Sequence, residues 1–192
     1  EVRRANPRRI LDVATGTGDL AIALARRIRD VQVMGVDLSE EMLAVARRKV
    51  EARGLDSRIV LERGDAEHLE VADASVDAAT VAFGVRNFGD LAAGLRELAR
   101  TIRPGGKVVI LEFSRPRNRV FRALYEFYSY KILPRIGGLV SRDKRAYEYL
   151  PASVGEFPAP AEFLGMMEKA GFRNCRAKSQ SCGIAQIYIG ER

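Results

Sequence analysis

Covalent and metal staples have little to be made from here: 192 residues contain two cysteines, Cys175 and Cys182, and one histidine, His68. Two thiols are too few for a disulfide framework, and no Cys/His set has zinc-ligand spacing, so no metal is expected. Both cysteines are expected to be reduced and structural. No run of about 18 apolar residues occurs, so no membrane-spanning helix is expected. The opening "EVRRANPRR" lacks the apolar stretch of a secretory signal, and the expected compartment is the cytoplasm. Internal repeats, low-complexity tracts and linkers are missing as well. What is present is 47% apolar and 30% charged residues, the composition of a globular chain. One domain over residues 1–192 is expected, long enough to bury a single good core.

The net charge is +7, and it is unevenly placed. Residues 1–114 carry 18 basic and 18 acidic side chains, and residues 149–192 carry five and four. The remaining excess lies in 115–148, with nine basic against three acidic. A pI near 9.7 would ordinarily raise nucleic acid as a partner. Charge confined to one segment makes nucleic acid an unexpected partner and asks for a local explanation.

Strands and helices alternate. "RRILDVA" reads as a first buried strand, followed by a helix over 19–29 with apolar positions 20, 22, 24 and 28. "VQVMGVD" is strand two. The helix after it is well marked: Ser39 is a candidate N-cap, Glu40 and Glu41 lie in the first turn, and Gly54 ends it. "RIVLERGD" and "VDAATVAF" are strands three and four. A helix over about 89–102 stops before "RPGG", and "KVVILEF" is strand five. A helix over about 161–170 precedes "GFRNCRAKS" and the closing strand "GIAQIYIGE". This pattern predicts an α/β fold. It is a Rossmann-like sheet of five parallel strands plus a C-terminal antiparallel, hairpin-like pair, with helices on both faces and an insertion after strand five.

The loop "DVATGTGD" satisfies the dinucleotide fingerprint G-x-G-x-x-G/A through Gly16, Gly18 and Ala21, and Asp37 stands where a ribose-binding acid belongs. The residues around the glycines argue for another ligand. Asp19 sits in the first turn of the following helix, where its carboxylate would compete with a pyrophosphate for the same N–H donors. That carboxylate would instead favour a ligand bearing an ammonium group. Asp12 ends strand one and can orient the loop by accepting its backbone N–H groups. The set suits S-adenosylmethionine (SAM), which is zwitterionic and has no phosphate. Asp37 would take the ribose hydroxyls and Asp65 the adenine amino group. The cofactor-binding residues expected on this basis are Asp12, Thr15, Gly16, Thr17, Gly18, Asp19, Asp37, Leu38, Gly64, Asp65, Ala66, Ala82 and Phe83.

The stretches "DVATGTGDLA", "GVDLSEEML", "GDAEHL", "AFGVRNFGD", "PGGKVVILEFSRP", "AYEYLPASVGEFP" and "GIAQIYIG" carry a family likeness through nearly the whole chain. The sequence resembles the C-methyltransferases of menaquinone and ubiquinone biosynthesis, the UbiE/MenG family, within the class I SAM-dependent methyltransferases. The resemblance implies methyl transfer from SAM to a ring carbon of a polyprenylated quinol, demethylmenaquinol in the first place and the ubiquinone benzoquinol precursor in the second. It also implies cofactor contacts at Thr17, Asp37, Asp65 and Ala66. Some members carry Ser where this chain has Ala82, so that side-chain contact is lost. Members of the family normally have about forty more residues in front, including a segment that helps cover SAM, so the resemblance implies an N-terminal lid outside this sequence.

Methylation of a ring carbon needs electron density that ionisation of the quinol hydroxyl supplies. Arg86 and Asn87, after strand four, are the expected catalytic and substrate-contacting residues, the Arg lowering the hydroxyl's pKa and the Asn placing the ring or a water. Asp19 and His68 are alternative bases. In 119–133, Phe121, Leu124, Tyr125, Tyr128 and Ile132 fall on one helical face flanked by Arg119, Arg122, Lys131 and Arg135. Such a helix either packs on the sheet or presents a prenyl-tail channel or membrane-facing surface. Tyr125, Tyr128 and Tyr147 are the further substrate candidates. The expected partners are a lipid-tailed quinol and the inner face of the membrane, approached from the cytoplasm; a homodimer is left open. Rival readings are a dehydrogenase, disfavoured by Asp19 and Asp65, and a nucleic-acid methyltransferase, which lacks its Asn/Asp-Pro-Pro-aromatic motif here. A non-catalytic SAM-binding protein is the rival from another class.

Overall fold

The computed structural model describes residues 1–2, 6–114 and 154–192. The first half alternates as expected: β1 (Arg9–Val13), α1 (Asp19–Arg27), β2 (Gln32–Asp37), α2 (Glu40–Glu51), β3 (Ile59–Arg63), β4 (Val76–Ala82), α3 (Leu91–Thr101) and β5 (Ile102–Phe113). α4 (Pro160–Lys169), β6 (Arg173–Gln180) and β7 (Ala185–Glu191) complete the described chain. α2 starts where Ser39 accepts the Met42 N–H at 3.3 Å, and α3 where Asp90 accepts that of Ala93 at 2.9 Å. Each cap satisfies an N–H that the helix itself leaves without a partner.

The seven strands form one sheet in the order β3-β2-β1-β4-β5-β7-β6. β1 to β5 are parallel, and β7 pairs antiparallel with both β5 and β6. The expected C-terminal pair is therefore present, with the later strand inserted between β5 and the earlier one. "RPGG" is a turn that falls inside the range of β5, with Pro104 and Gly105 in the places a type II turn gives them. Val76 faces Ile102 and Ala78 already faces Lys107, which leaves Arg103–Gly106 looped out with Gly105 at φ +80°.

Alternation along the strands supplies both faces with core. Ile10, Val33 and Ile59 point into one layer with Ala21, Leu24 and Ala25 of α1 and Val50 of α2. Leu11, Val13 and Ile110 point into the other, with Leu95 and Leu98 of α3, Phe163 and Met167 of α4, and Tyr188 of β7. Helices on both faces leave the carboxyl ends of the central strands for a site, as open α/β sheets generally do.

Candidate active site

Loops after β1 to β4 enclose a cleft of about 240 Å³. Val13 and Ala14 wall it after β1, and Val36 to Ser39 after β2. Gly64 to Glu67 follow β3, and Gly84, Asn87 and Phe88 follow β4. The β1 and β4 loops touch. A Cβ on Gly84 would stand 2.3 Å from that of Ala14, whose own backbone is held at φ +53°. Only glycine fits there. Among the described residues no side chain in the walls is cationic, while Asp37, Asp65 and Glu67 are acidic.

The glycine loop is folded by its own carboxylates. Asp37 accepts the Gly16 N–H at 2.7 Å through one oxygen and the Ser39 N–H at 2.9 Å through the other. Thr15 donates its N–H to Val36 at 3.1 Å, and Gly18 donates to the Thr15 carbonyl at 2.9 Å. Three N–H groups of the loop, those of Thr15, Gly16 and Gly18, are thus already taken. Gly18, at φ +76°, would place a Cβ 3.0 Å from Ala46 of α2, so it permits the close approach of loop and helix. Asp65 accepts the Glu67 N–H at 2.9 Å, and Glu67 in turn accepts those of Gly89 at 2.6 Å and Asp90 at 3.0 Å. Glu67 thereby straps the β3 loop to the start of α3. Nothing in "GDAEHL" as a string announces that role.

Of the expected cofactor contacts, Asp37, Leu38, Gly64, Asp65 and Ala66 stand in the cleft wall. Ala14, Ser39, Glu67 and Phe88 join them without having been anticipated. Asp12 lies behind the wall, fully buried, and its oxygens accept hydroxyls rather than loop N–H groups: Thr15 at 2.6 Å and Thr80 at 2.5 Å. Asp19 faces elsewhere. Its side chain is 74% exposed and paired with Lys49 of α2 at 2.8 Å. Lys49 also reaches the Thr17 hydroxyl at 2.9 Å, and that hydroxyl donates to Asp19 at 2.9 Å. The Asp19 carboxyl is held below its ordinary range by this lysine first and by Thr17 second. Paired with Lys49, that carboxylate weighs little against a phosphate, so the argument against a dinucleotide moves from Asp19 to the acidic cleft. His68 is exposed at 85%, with Nδ1 4.0 Å from Asp65, and is not in the cleft wall.

Arg86 is turned inward, with its side chain 10% exposed. Its Nη1 donates to the carboxylate of Glu112 at 2.8 Å and to the Phe83 carbonyl, and its backbone N–H reaches the same carboxylate at 3.2 Å. Glu112 is 0% exposed. The sequence reading missed it, although the signal was there: Val108, Ile110 and Glu112 alternate onto one buried face, and an acid in that phase demands a cation. Asn87, by contrast, stands in the cleft wall. Tyr125, Tyr128, Tyr147 and the insertion at 115–150 lie outside the described residues.

Burial pushes the Asp12 carboxyl up to about 6, against the opposing help of the two threonine hydroxyls. A folded pKa above the unfolded value means that the native state holds the proton more tightly. This contribution to stability is present below about pH 4 and is lost as pH rises through 6. The unfolding free energy of the wild type relative to Asp12→Asn should fall by about 3 kcal/mol between those limits and then stay level. Urea melts of both proteins across pH 4–8 measure it. A flat difference would mean that Asp12 titrates normally.

A sheet of this order, with an acid-lined cleft at the carboxyl ends of β1 to β4, defines a class I SAM-dependent methyltransferase. Solved structures agree on the fold. A SAM-dependent methyltransferase from Aquifex aeolicus superposes with a TM-score of 0.70 over 96% of this chain and 82% of its own, at 20% identity. The YcgJ protein of Bacillus subtilis superposes equally well, at 0.70 over 100% and 95% and 19% identity. The chain belongs to the ubiE/COQ5 methyltransferase family, whose model matches residues 2–192. Among its relatives are the ubiquinone/menaquinone biosynthesis C-methyltransferase UbiE of Geobacter sulfurreducens, 46% identical over 100% of this chain and 75% of its own. The demethylmenaquinone methyltransferase of Thermus thermophilus is 47% identical over 97% and 83%.

Proposed function

We propose that this chain transfers a methyl group from SAM to a ring carbon of a lipid-tailed quinol, with demethylmenaquinol as the acceptor. The acid-lined cleft carries the cofactor half of this reading, because Asp37, Asp65 and Glu67 suit hydroxyls and a positively charged ligand and disfavour a pyrophosphate. The named relatives carry the acceptor half. Asp37 would hold the ribose hydroxyls, Asp65 and Ala66 the adenine, and Val13, Val36, Leu38 and Phe88 the apolar surface of the nucleoside. SAM supplies an electrophilic methyl on a sulfonium, so what falls to the chain is orientation and ionisation of the acceptor.

Asn87 would position the acceptor ring or a water beside the cleft. Arg86 would favour the ionised hydroxyl through its charge, by less than a lone guanidinium would because Glu112 balances it. A long prenyl tail has to be drawn from a bilayer, so peripheral contact with the inner face of the membrane is part of the proposal. Calorimetry should show binding of SAM and none of NADH. Methyl transfer to a demethylated naphthoquinol under reducing conditions should follow, with the benzoquinol precursor as the comparison acceptor. NADH binding, or transfer to RNA in place of either quinol, would overturn the reading.

A further inference from the structure

Two aromatic side chains stand beside the cleft without forming part of its wall. Phe83 directly follows β4 and Phe113 is the last residue of β5, and their rings stack with centroids 4.4 Å apart at 30°. Phe83 had been expected among the cofactor contacts, yet it is not in the cleft wall, although its neighbour Gly84 is. Its backbone is held at φ +57°, a conformation that costs a bulky residue about 1–3 kcal/mol. The surroundings enforce it: the Phe83 N–H donates to Leu111 at 2.8 Å, and its carbonyl is taken by Arg86. The result is a large ring 37% exposed at the edge of the site. The Arg86 guanidinium lies 5.5 Å from the centre of the Phe113 ring.

A strained backbone that presents an aromatic ring to solvent beside a cofactor cleft is poor design for stability alone. We infer that Phe83 and Phe113 form the shelf on which the aromatic ring of the methyl acceptor lies, with Glu112 positioning Arg86 behind it. This rests on the quinol reading above. Position supports it, since the shelf adjoins the cleft through Gly84 and Asn87 at the carboxyl ends of β4 and β5. Chemistry supports it too. Aromatic rings prefer offset or tilted stacks, and the exposed Phe83, stacked on Phe113 near the Arg86 guanidinium, offers an aromatic surface to which the acceptor ring can add.

Three variants test it with a demethylated naphthoquinol as acceptor. Phe113→Leu should raise the acceptor KM roughly two- to tenfold, the size of an aromatic stacking contribution, and leave the SAM dissociation constant unchanged. Phe113→Tyr, which keeps the ring, should restore the wild-type KM. Phe83→Gly removes both the ring and the backbone strain, so its Tm should hold or rise while the acceptor KM increases. A KM that stays at the wild-type value in Phe113→Leu and Phe83→Gly, with active wild type, overturns the shelf and leaves the quinol reading standing. A lowered Tm with KM intact assigns the pair to packing and overturns it likewise. No transfer to any quinol by the wild type removes the reading and the shelf together.

Discussion

Replacing Glu112 with alanine should lower the unfolding free energy by about 3–5 kcal/mol, the cost of leaving a buried charge without its partner. Arg86 has nowhere else to go. Its side chain is almost wholly enclosed, and its backbone N–H and that of Phe113 also use the Glu112 carboxylate as acceptor, at 3.2 and 2.8 Å. Arg86→Ala should destabilise by a similar amount, because it strands the carboxylate instead. The double variant Arg86→Met/Glu112→Leu should recover part of the loss, since an apolar pair replaces two desolvated charges while the Arg86 and Phe113 N–H groups still lose their acceptor. Denaturant titration of the wild type, Arg86→Met, Glu112→Leu and the double variant gives the coupling as a double-mutant cycle. If the single variants each cost less than about 1 kcal/mol, as exposed pairs do, the ion pair is solvated and Arg86 is available to act directly on the acceptor.

Asp37→Ala should weaken SAM binding at least about hundredfold. Loss of two hydrogen bonds to a charged group, each contributing about 1.5–3 kcal/mol, accounts for that much without any change in packing. The variant also releases Gly16 and Ser39, whose N–H groups share the carboxylate, so the glycine loop loosens at the same time. Asp37→Asn is the more informative partner. An amide has one acceptor oxygen, so it can keep Gly16 or Ser39 but not both, and its affinity should fall between the other two. Calorimetric titration with SAM reads the series. A loss of tenfold or less in Asp37→Ala would place the ribose elsewhere.

The strands and helices were readable because their apolar periods are clean, and Asp37 and Asp65 were readable because each follows a strand into the same end of the sheet. Three features were not. An acid in the first turn of a helix does not reveal which way it faces, and Lys49, thirty positions on, draws Asp19 away from the cleft. Arg86 looked like a residue for the acceptor because its loop belongs to the site, but a buried carboxylate on the neighbouring strand holds its charge. The order of the last two strands was hidden as well, since two adjacent segments say nothing about which of them meets the rest of the sheet.

That strand order has a consequence in time. β7 follows β6 in the chain yet lies inside it, and β7 pairs Gln186 with Glu112 and Ala185 with Phe113. β1 to β4, which carry the cofactor cleft, need nothing beyond residue 82 to complete their mutual ladders. β5 has an open edge, and β6 has no place at all, until β7 arrives. In pulsed hydrogen exchange during refolding, amides of β5 that point toward β7 and those of β6 should gain protection together with β7, whatever the pace of the first four strands. The cleft proposed for the methyl donor is made from near neighbours in sequence, while the side proposed for the acceptor waits for a strand that comes last.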